Sequence, residues 1–286
     1  TVPQTDPHDA QRRHEKEEEP MTTPAISIQL WTVRDELTAD MDGTLAKLSA
    51  IGFTNVEAFG FVTRADELAA AFARHGIASP TGHASLASGT ENPFDASIAV
   101  PTPDEVFTAA QKLGMTTVFD PFVAPDRWES VEEIRKTAEA LNAAAAIGAG
   151  YGISVGYHNH NQEFLTKIDG RFPLEIFAEL LDEGVSLELD LYWASAGGAD
   201  VVALLERLGD KVTALHVKDG TLEPLPTLGA IPTDQVPAGE GAVALSAALD
   251  AAHSAQYAII EFDSYPGDIW AGVQTGYEFL AARGLA

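Results

Sequence analysis

The chain has 286 residues, no cysteine, and 43 Asp and Glu against 17 Lys and Arg, a formal net charge of −26. A chain of this length buries roughly three quarters of its unfolded surface, so its core needs neither disulfides nor a structural metal, and Cys-based zinc, iron–sulfur or thiol chemistry is excluded. The negative charge opposes any sequence-independent hold on nucleic acid or anionic lipid, since both depend on Lys and Arg, and small molecules are the expected partners.

Residues 1–24 read as a solvated N-terminal tail, disordered or vector-derived. Arg12, Arg13 and Lys16 stand beside an acidic run at 15–19 without the apolar core of a secretory signal, and Met21 reads as a second start. A cytoplasmic location is the default expectation. No apolar stretch is long enough to cross a hydrocarbon core of about 30 Å.

From Ala25 onward, short β-rich runs alternate with segments of helical period. Residues 26–31 form the first expected strand, followed by a helix over 41–51. Strand 55–58 precedes helix 66–75, strand 78–83 precedes helix 103–113, and strand 116–120 precedes helix 130–148. Strand 152–158 then leads to helix 173–181, strand 186–190 to helix 201–208, strand 212–218 to helix 243–253, and strand 257–261 to a last helix over 272–282. Gly52, Gly76, Gly114 and Gly209 stand where helix C-termini want a left-handed residue. Eight strand–helix rounds predict an α/β fold, a single-domain (β/α)8 TIM barrel over 25–286. An open doubly wound sheet has fewer strands, and no GxGxxG follows the first one. Two connections, 84–101 and 219–241, are long enough to cover an active site.

In such a barrel the chemistry sits at the C-terminal ends of the strands. Those ends are polar throughout: Gln29 and Trp31, Glu57, His83, Asp120, His158-Asn159-His160, Asp190, His216 with Lys218, and Glu261. Ionisable groups gathered on one rim repel and desolvate one another unless a cation or a catalytic role justifies them. Carboxylates with imidazoles and no thiolate suit one divalent ion, Mn²⁺ first, with Co²⁺, Fe²⁺, Zn²⁺ or Mg²⁺ as alternatives. Asp190, His216 and Glu261 end β-rich runs and are the leading ligands. Strand five offers His158, His160 or Glu163 as the fourth; charge balance favours Glu163, with His158 next.

These strand ends resemble the xylose-isomerase-like TIM barrels, the sugar-phosphate isomerase/epimerase superfamily. The resemblance runs from Ala25 to the C-terminus and rests on SIQLWTVRDEL, GFTNVEAFG, GYHNHNQEF, LELDLYWASAGG, LHVKDG, GEG at 239–241 and IIEFD, in that order. It implies metal ligation by Asp190, His216 and Glu261, a substrate-bordering role for Glu57, a strand-three His at His83, and a sugar pocket lined by Trp193 and Lys218. Strand five departs from the epimerases of the family, which place a metal-bound Glu roughly where His158 stands. His-rich strands of this kind resemble the dehydratase-like members, such as inosose dehydratase and the eliminases of 3-keto-glycosides.

The expected function is therefore divalent-metal-dependent removal of a proton α to the ketone of a keto sugar, keto-cyclitol or 3-keto-glycoside, with β-elimination favoured. His158 is the expected base and His160 the group that protonates the departing oxygen. Trp31 and Trp193 would present flat faces to the sugar, and Lys218 would hold an oxygen. The alternatives are isomerisation or epimerisation by reprotonation of the enediolate and, in another class, a non-catalytic sugar-binding barrel. A DNA-repair endonuclease of the same barrel type is disfavoured by the charge. A carbohydrate is the expected partner, with neither nucleic acid nor membrane, and a homodimer or a small partner subunit is conceivable.

Overall fold

The computed structural model describes residues 23–88, 99–224 and 230–286. The expected tail up to residue 22, most of the 84–101 connection and residues 225–229 of the second connection lie outside the described residues.

Eight parallel strands build the barrel: β1 (Ala25–Ile28), β2 (Asn55–Phe59), β3 (Ala78–His83), β4 (Thr117–Asp120), β5 (Ser154–His158), β6 (Ser186–Asp190), β7 (Val212–Val217) and β10 (Tyr257–Ile260). Between the last two come β8 (Asp219–Gly220) and β9 (Gln235–Val236), a short antiparallel pair. The sheet runs β1-β10-β7-β6-β5-β4-β3-β2, and an isolated parallel bridge between Gln29 and Glu57 brings its two edges together. The expected (β/α)8 barrel is thus the observed architecture.

The helices are α1 (Arg34–Ala39), α2 (Met41–Ile51), α3 (Ala65–His75), α4 (Pro103–Leu113), α5 (Val131–Ala149), α6 (Pro173–Leu180), α7 (Leu191–Ala196), α8 (Val201–Leu208), α9 (Leu245–Ala251) and α10 (Ile269–Ala281). The four expected helix-ending glycines all have positive φ. Two helices, α1 and α7, were not expected, because each is six residues long and too short to show a period. The start of α7 is fixed by the strand before it: Asp190, the last residue of β6, accepts from Trp193 N at 2.8 Å.

Strand alternation divides the core. Leu187 and Leu189 of β6, Val118 of β4 and Val155 and Tyr157 of β5 belong to the large cluster between sheet and helices. Inside the barrel, Phe119, Ala214 and Ile259 form a separate apolar plug beneath the polar strand ends. Phe119 fits because its neighbour on β5 is Gly156, where a Cβ would come within 2.5 Å of the Phe119 ring.

Candidate active site

Parallel register brings the site together. On β6 the sequence SLELD alternates, so Glu188 and Asp190 point to the same side of the strand. Glu188 pairs with His158 of β5, Asp190 pairs with His216 of β7, and Glu261 follows Ile260 at the end of β10. His158, Asp190, His216 and Glu261 each offer one ligand atom, and these atoms lie within 4.8 Å of one another. All four residues are buried.

The two imidazoles are oriented from behind. His216 Nε2 lies 2.8 Å from Glu57 Oε1 and 3.1 Å from Glu188 Oε2, while its Nδ1 faces Glu261 Oε2 at 2.7 Å and Asp190 Oδ2 at 3.9 Å. His158 Nδ1 lies 3.0 Å from Glu188 Oε2 and its Nε2 3.8 Å from Asp190 Oδ2. Each ring thus sets one nitrogen on Glu188 and turns the other toward Asp190. A carboxylate behind an imidazole fixes both tautomer and ring angle, as in carboxylate–histidine–metal sites. His83 Nε2 completes the network, 2.7 Å from Glu188 and 3.0 Å from Glu57, whose Oε1 also accepts from Gln29 Nε2 at 2.8 Å.

Lys218 closes the site on the other side. Its ammonium lies 2.9 Å from Asp190 Oδ2, 2.5 Å from Glu261 Oε2 and 3.0 Å from Asp263 Oδ2. Asp190 Oδ2 makes this ion contact without an aligned hydrogen bond, and it is one of several buried polar atoms there with no hydrogen-bond partner among the described residues; His160 Nδ1 and Trp193 Nε1 are others. The three belong to one neighbourhood. The His160 ring lies 5.1 Å from that of His158 and 5.4 Å from that of Trp193.

A model of the xylose isomerase-like TIM barrel family matches residues 45–282. The chain belongs to this family. Among solved structures it is similar to a sugar phosphate isomerase/epimerase from Parabacteroides distasonis, at 21% identity over 95% of this chain and 98% of that one, with a TM-score of 0.71. It is also similar to the probable 3-DHS dehydratase AsbF from Bacillus anthracis (15% identity, 90% and 98% coverage, TM-score 0.67) and to the IolI protein with a bound zinc atom (18%, 91% and 97%, 0.65). A search of curated proteins found no match. Among the described residues no helix is long and apolar enough to cross a membrane.

The IolI structure holds a zinc atom, and the residues here could hold a divalent ion. Two imidazole nitrogens and two carboxylates converge, Asp190 Oδ2 is short of a hydrogen bond, and the Lys218 ammonium bridges the two carboxylates much as a cation would. Glu163, expected as the fourth ligand, is not brought into this cluster. It sits on the 3-10 turn Gln162–Phe164, where its carboxylate accepts from Tyr157 Oη at 2.6 Å and from His160 N at 3.1 Å. Tyr157 packs outward against Trp128 and Phe177, so the turn carries Glu163 to the helix side of β5. His158, expected as the base, stands in the cluster that could hold a metal, and His160 Nδ1 is buried without a hydrogen-bond partner among the described residues.

The other predicted residues divide by depth. Glu57 and His83 are hydrogen-bonded within the buried network rather than lining an open rim. Trp193 is buried beside His160, while Trp31 is 39% exposed, packed edge-on to Phe59 and with Arg34 4.5 Å above its ring. Asp120 accepts from the backbone of Leu86, Ala87 and Phe122 and is a loop anchor.

Burial sets the protonation pattern. It pushes Asp190 up to about 6 against the opposing pull of Lys218, and pushes His160 down to about 3 with Lys218 adding to the effect. It also lowers His158 well below the ordinary range, so both strand-five imidazoles are neutral at pH 7. Burial opposes charge on His83 as well, but Glu57 and Glu188 outweigh it and raise the group to about 10. Glu261 is held well below the carboxylate range, because Lys218 and His216 outweigh its burial.

Sequence reasoning missed Glu188, which lies two residues before its strand end and so escaped a search confined to the ends. The SLELD alternation was the signal that could have found it.

Proposed function

We propose that this protein removes a proton α to the ketone of a keto sugar, keto-cyclitol or 3-keto-glycoside, and that β-elimination follows. The observation carrying this reading is His160: a neutral imidazole whose Nδ1 is buried, without a hydrogen-bond partner among the described residues, and adjacent to the ligand cluster. His158, Asp190, His216 and Glu261 would hold the divalent ion. When bound, that ion supplies Lewis acidity, polarising the ketone and spreading the charge of the enediolate. Mixed carboxylate and imidazole donors make Mn²⁺ the first candidate, but a second imidazole in place of a carboxylate shifts the donor set toward Zn²⁺ or Co²⁺.

His160 accepts the α-proton at Nδ1. Negative charge growing on the substrate raises the basicity of this imidazole as the proton moves. Lys218, held by Asp263, donates to a substrate oxygen. Trp193 excludes water from one side and Trp31 closes the mouth. Epimerisation needs an acceptor on each face of the enediolate, and here an imidazole of the ligand set stands where the epimerases of the family place a strand-five carboxylate. One-sided chemistry, in which the protonated His160 returns its proton to a departing β-oxygen, suits this arrangement better. The likeness to a dehydratase agrees with elimination, and the likeness to an isomerase/epimerase keeps reprotonation as the second reading.

His160→Asn is expected to keep one ion per chain and to lose α-proton exchange with solvent by about 10²-fold or more. Full exchange in this variant would remove His160 as the base. Product analysis by NMR separates an unsaturated ketone from an isomer.

A further inference from the structure

Resting on the keto-sugar reading above, we propose that the substrate is uncharged and carries neither phosphate nor carboxylate, because the chain's own carboxylates fill the backbone N–H groups where an anion would be seated. In TIM barrels a phosphate is frequently bound by the loops after the seventh and eighth strands, with the N-terminus of a short helix. Both positions are occupied here. After β7, the Asp219 carboxylate accepts from the backbone N–H groups of Gly220 (2.9 Å), Gly239 (3.0 Å), Gly241 (3.0 Å) and Val243 (3.1 Å). The carboxylate is 1% exposed at the residue level, and a Cβ on Gly241 would come within 2.2 Å of it. The GEG motif is thus shaped around an internal anion. After β10, the N-terminus of α10 is capped by Asp268, which accepts from Trp270 N and Ala271 N.

Most of the remaining helices on this face repeat the pattern; α9, seven residues long, is the exception, with neither a capping side chain nor an acidic residue in its first turn. α2, α3, α4, α5 and α6 each carry Asp or Glu in the first turn, which takes up the favourable end of the helix dipole. Cations are equally committed. Among the described residues, Lys218 and Arg34 are the Lys and Arg side chains that contact the site's residues, and Lys218 is shared among three carboxylates, which leaves it able to answer one hydroxyl or carbonyl oxygen rather than a whole phosphate. Arg34 lies over Trp31 and donates to the carbonyls of Trp31 and Asp263. Residues 89–98 and 225–229 contain no Lys or Arg, so neither loop segment can add one. Away from the ion that would hold the hydroxyketone head, a phosphate entering this mouth would meet the Asp263 carboxylate with the Arg34 guanidinium to answer it. A like-charge encounter of this kind costs enough to exclude a ligand from an otherwise matching site.

The test uses metal-loaded protein and matched pairs that share a hydroxyketone head: dihydroxyacetone and its phosphate, D-ribulose and its 5-phosphate, D-fructose and its 6-phosphate. Binding is read by saturation-transfer NMR and α-proton exchange in deuterated solvent, with inorganic phosphate as competitor. The neutral member of a pair is expected to bind at least about tenfold more tightly than its phosphate, with no competition from inorganic phosphate. A phosphorylated member preferred by tenfold, with the preference lost in Arg34→Met, would overturn the uncharged substrate and leave the keto-sugar reading intact. Neither binding nor exchange with any member, charged or neutral, would overturn the keto-sugar reading itself and this inference with it.

Discussion

Glu188 is the residue on which the geometry of the site turns. Its Oε2 lies within 3.1 Å of nitrogens of His83, His158 and His216, so one carboxylate sets the angle of both candidate imidazole ligands. Glu188→Gln keeps the volume but removes the charge behind the rings, and metal affinity is expected to fall about 10- to 100-fold, read by competition with a chromophoric chelator. Unchanged affinity would mean that the rings are held by packing alone. Lys218 makes a complementary prediction. Lys218→Met leaves Asp190, Glu261 and Asp263 without their shared cation, so the metal-free variant should melt well below the metal-free parent, and added divalent ion should restore much of the loss. His83 supplies the pH dependence. A folded-state pKa of about 10 against an ordinary 6.5 means that the folded protein holds the proton more tightly. The stabilisation is complete below pH 6.5 and is lost as pH rises toward 10. The melting temperature of metal-free protein should therefore decline over that window, and His83→Asn should flatten the decline.

Single elements explain what the sequence made legible and what it did not. Most strands were readable as short β-branched or apolar runs between helical segments; β3, ASPTGH, is the weak case, since it holds Pro80 and Gly82. That Asp190, His216 and Glu261 converge was readable because strand ends are where this architecture gathers polar side chains. Glu163 was misplaced because a turn, unlike a strand, has no fixed alternation: three residues past His160 the chain has already carried its side chain to Tyr157. The split between His158 and His160 was beyond reach for a related reason. One ends β5 and the other lies two residues beyond it, but the β5–β6 register alone ties His158 to Glu188, while His160 Nδ1 has no hydrogen-bond partner among the described residues. The loop after β7 was expected as a cover from its length, and its anchor among the described residues is Asp219 with four backbone donors. Asp219→Ala should cost about 3 kcal/mol or more, since hydrogen bonds to a charged group contribute roughly 1.5–3 kcal/mol each. Amide exchange at 235–243 would rise far more than in the rest of the barrel; uniform exchange would deny the anchor. Gly156→Ala should cost about 1–3 kcal/mol by forcing a methyl against Phe119.

At the scale of the whole molecule, the barrel concentrates in its centre a set of charges that no fold needs for stability. Four carboxylates, three imidazoles and an ammonium are nearly all withdrawn from water at Glu57, Glu188, Asp190, Glu261, His83, His158, His216 and Lys218. Well-packed apolar residues would stabilise the same space as well or better, so the arrangement is best explained by the chemistry it permits. The outer core between sheet and helices carries the stability, and the inner plug of Phe119, Ala214 and Ile259 separates the polar layer from the opposite mouth. The measurement that tests this account most directly is α-proton exchange on a panel of keto sugars, keto-cyclitols and 3-keto-glycosides in deuterated solvent, before and after chelation. Exchange that disappears with EDTA and returns with one equivalent of a divalent ion per chain is the predicted result. Exchange that is indifferent to chelation, or absent with every ion and every ketone tried, would contradict it.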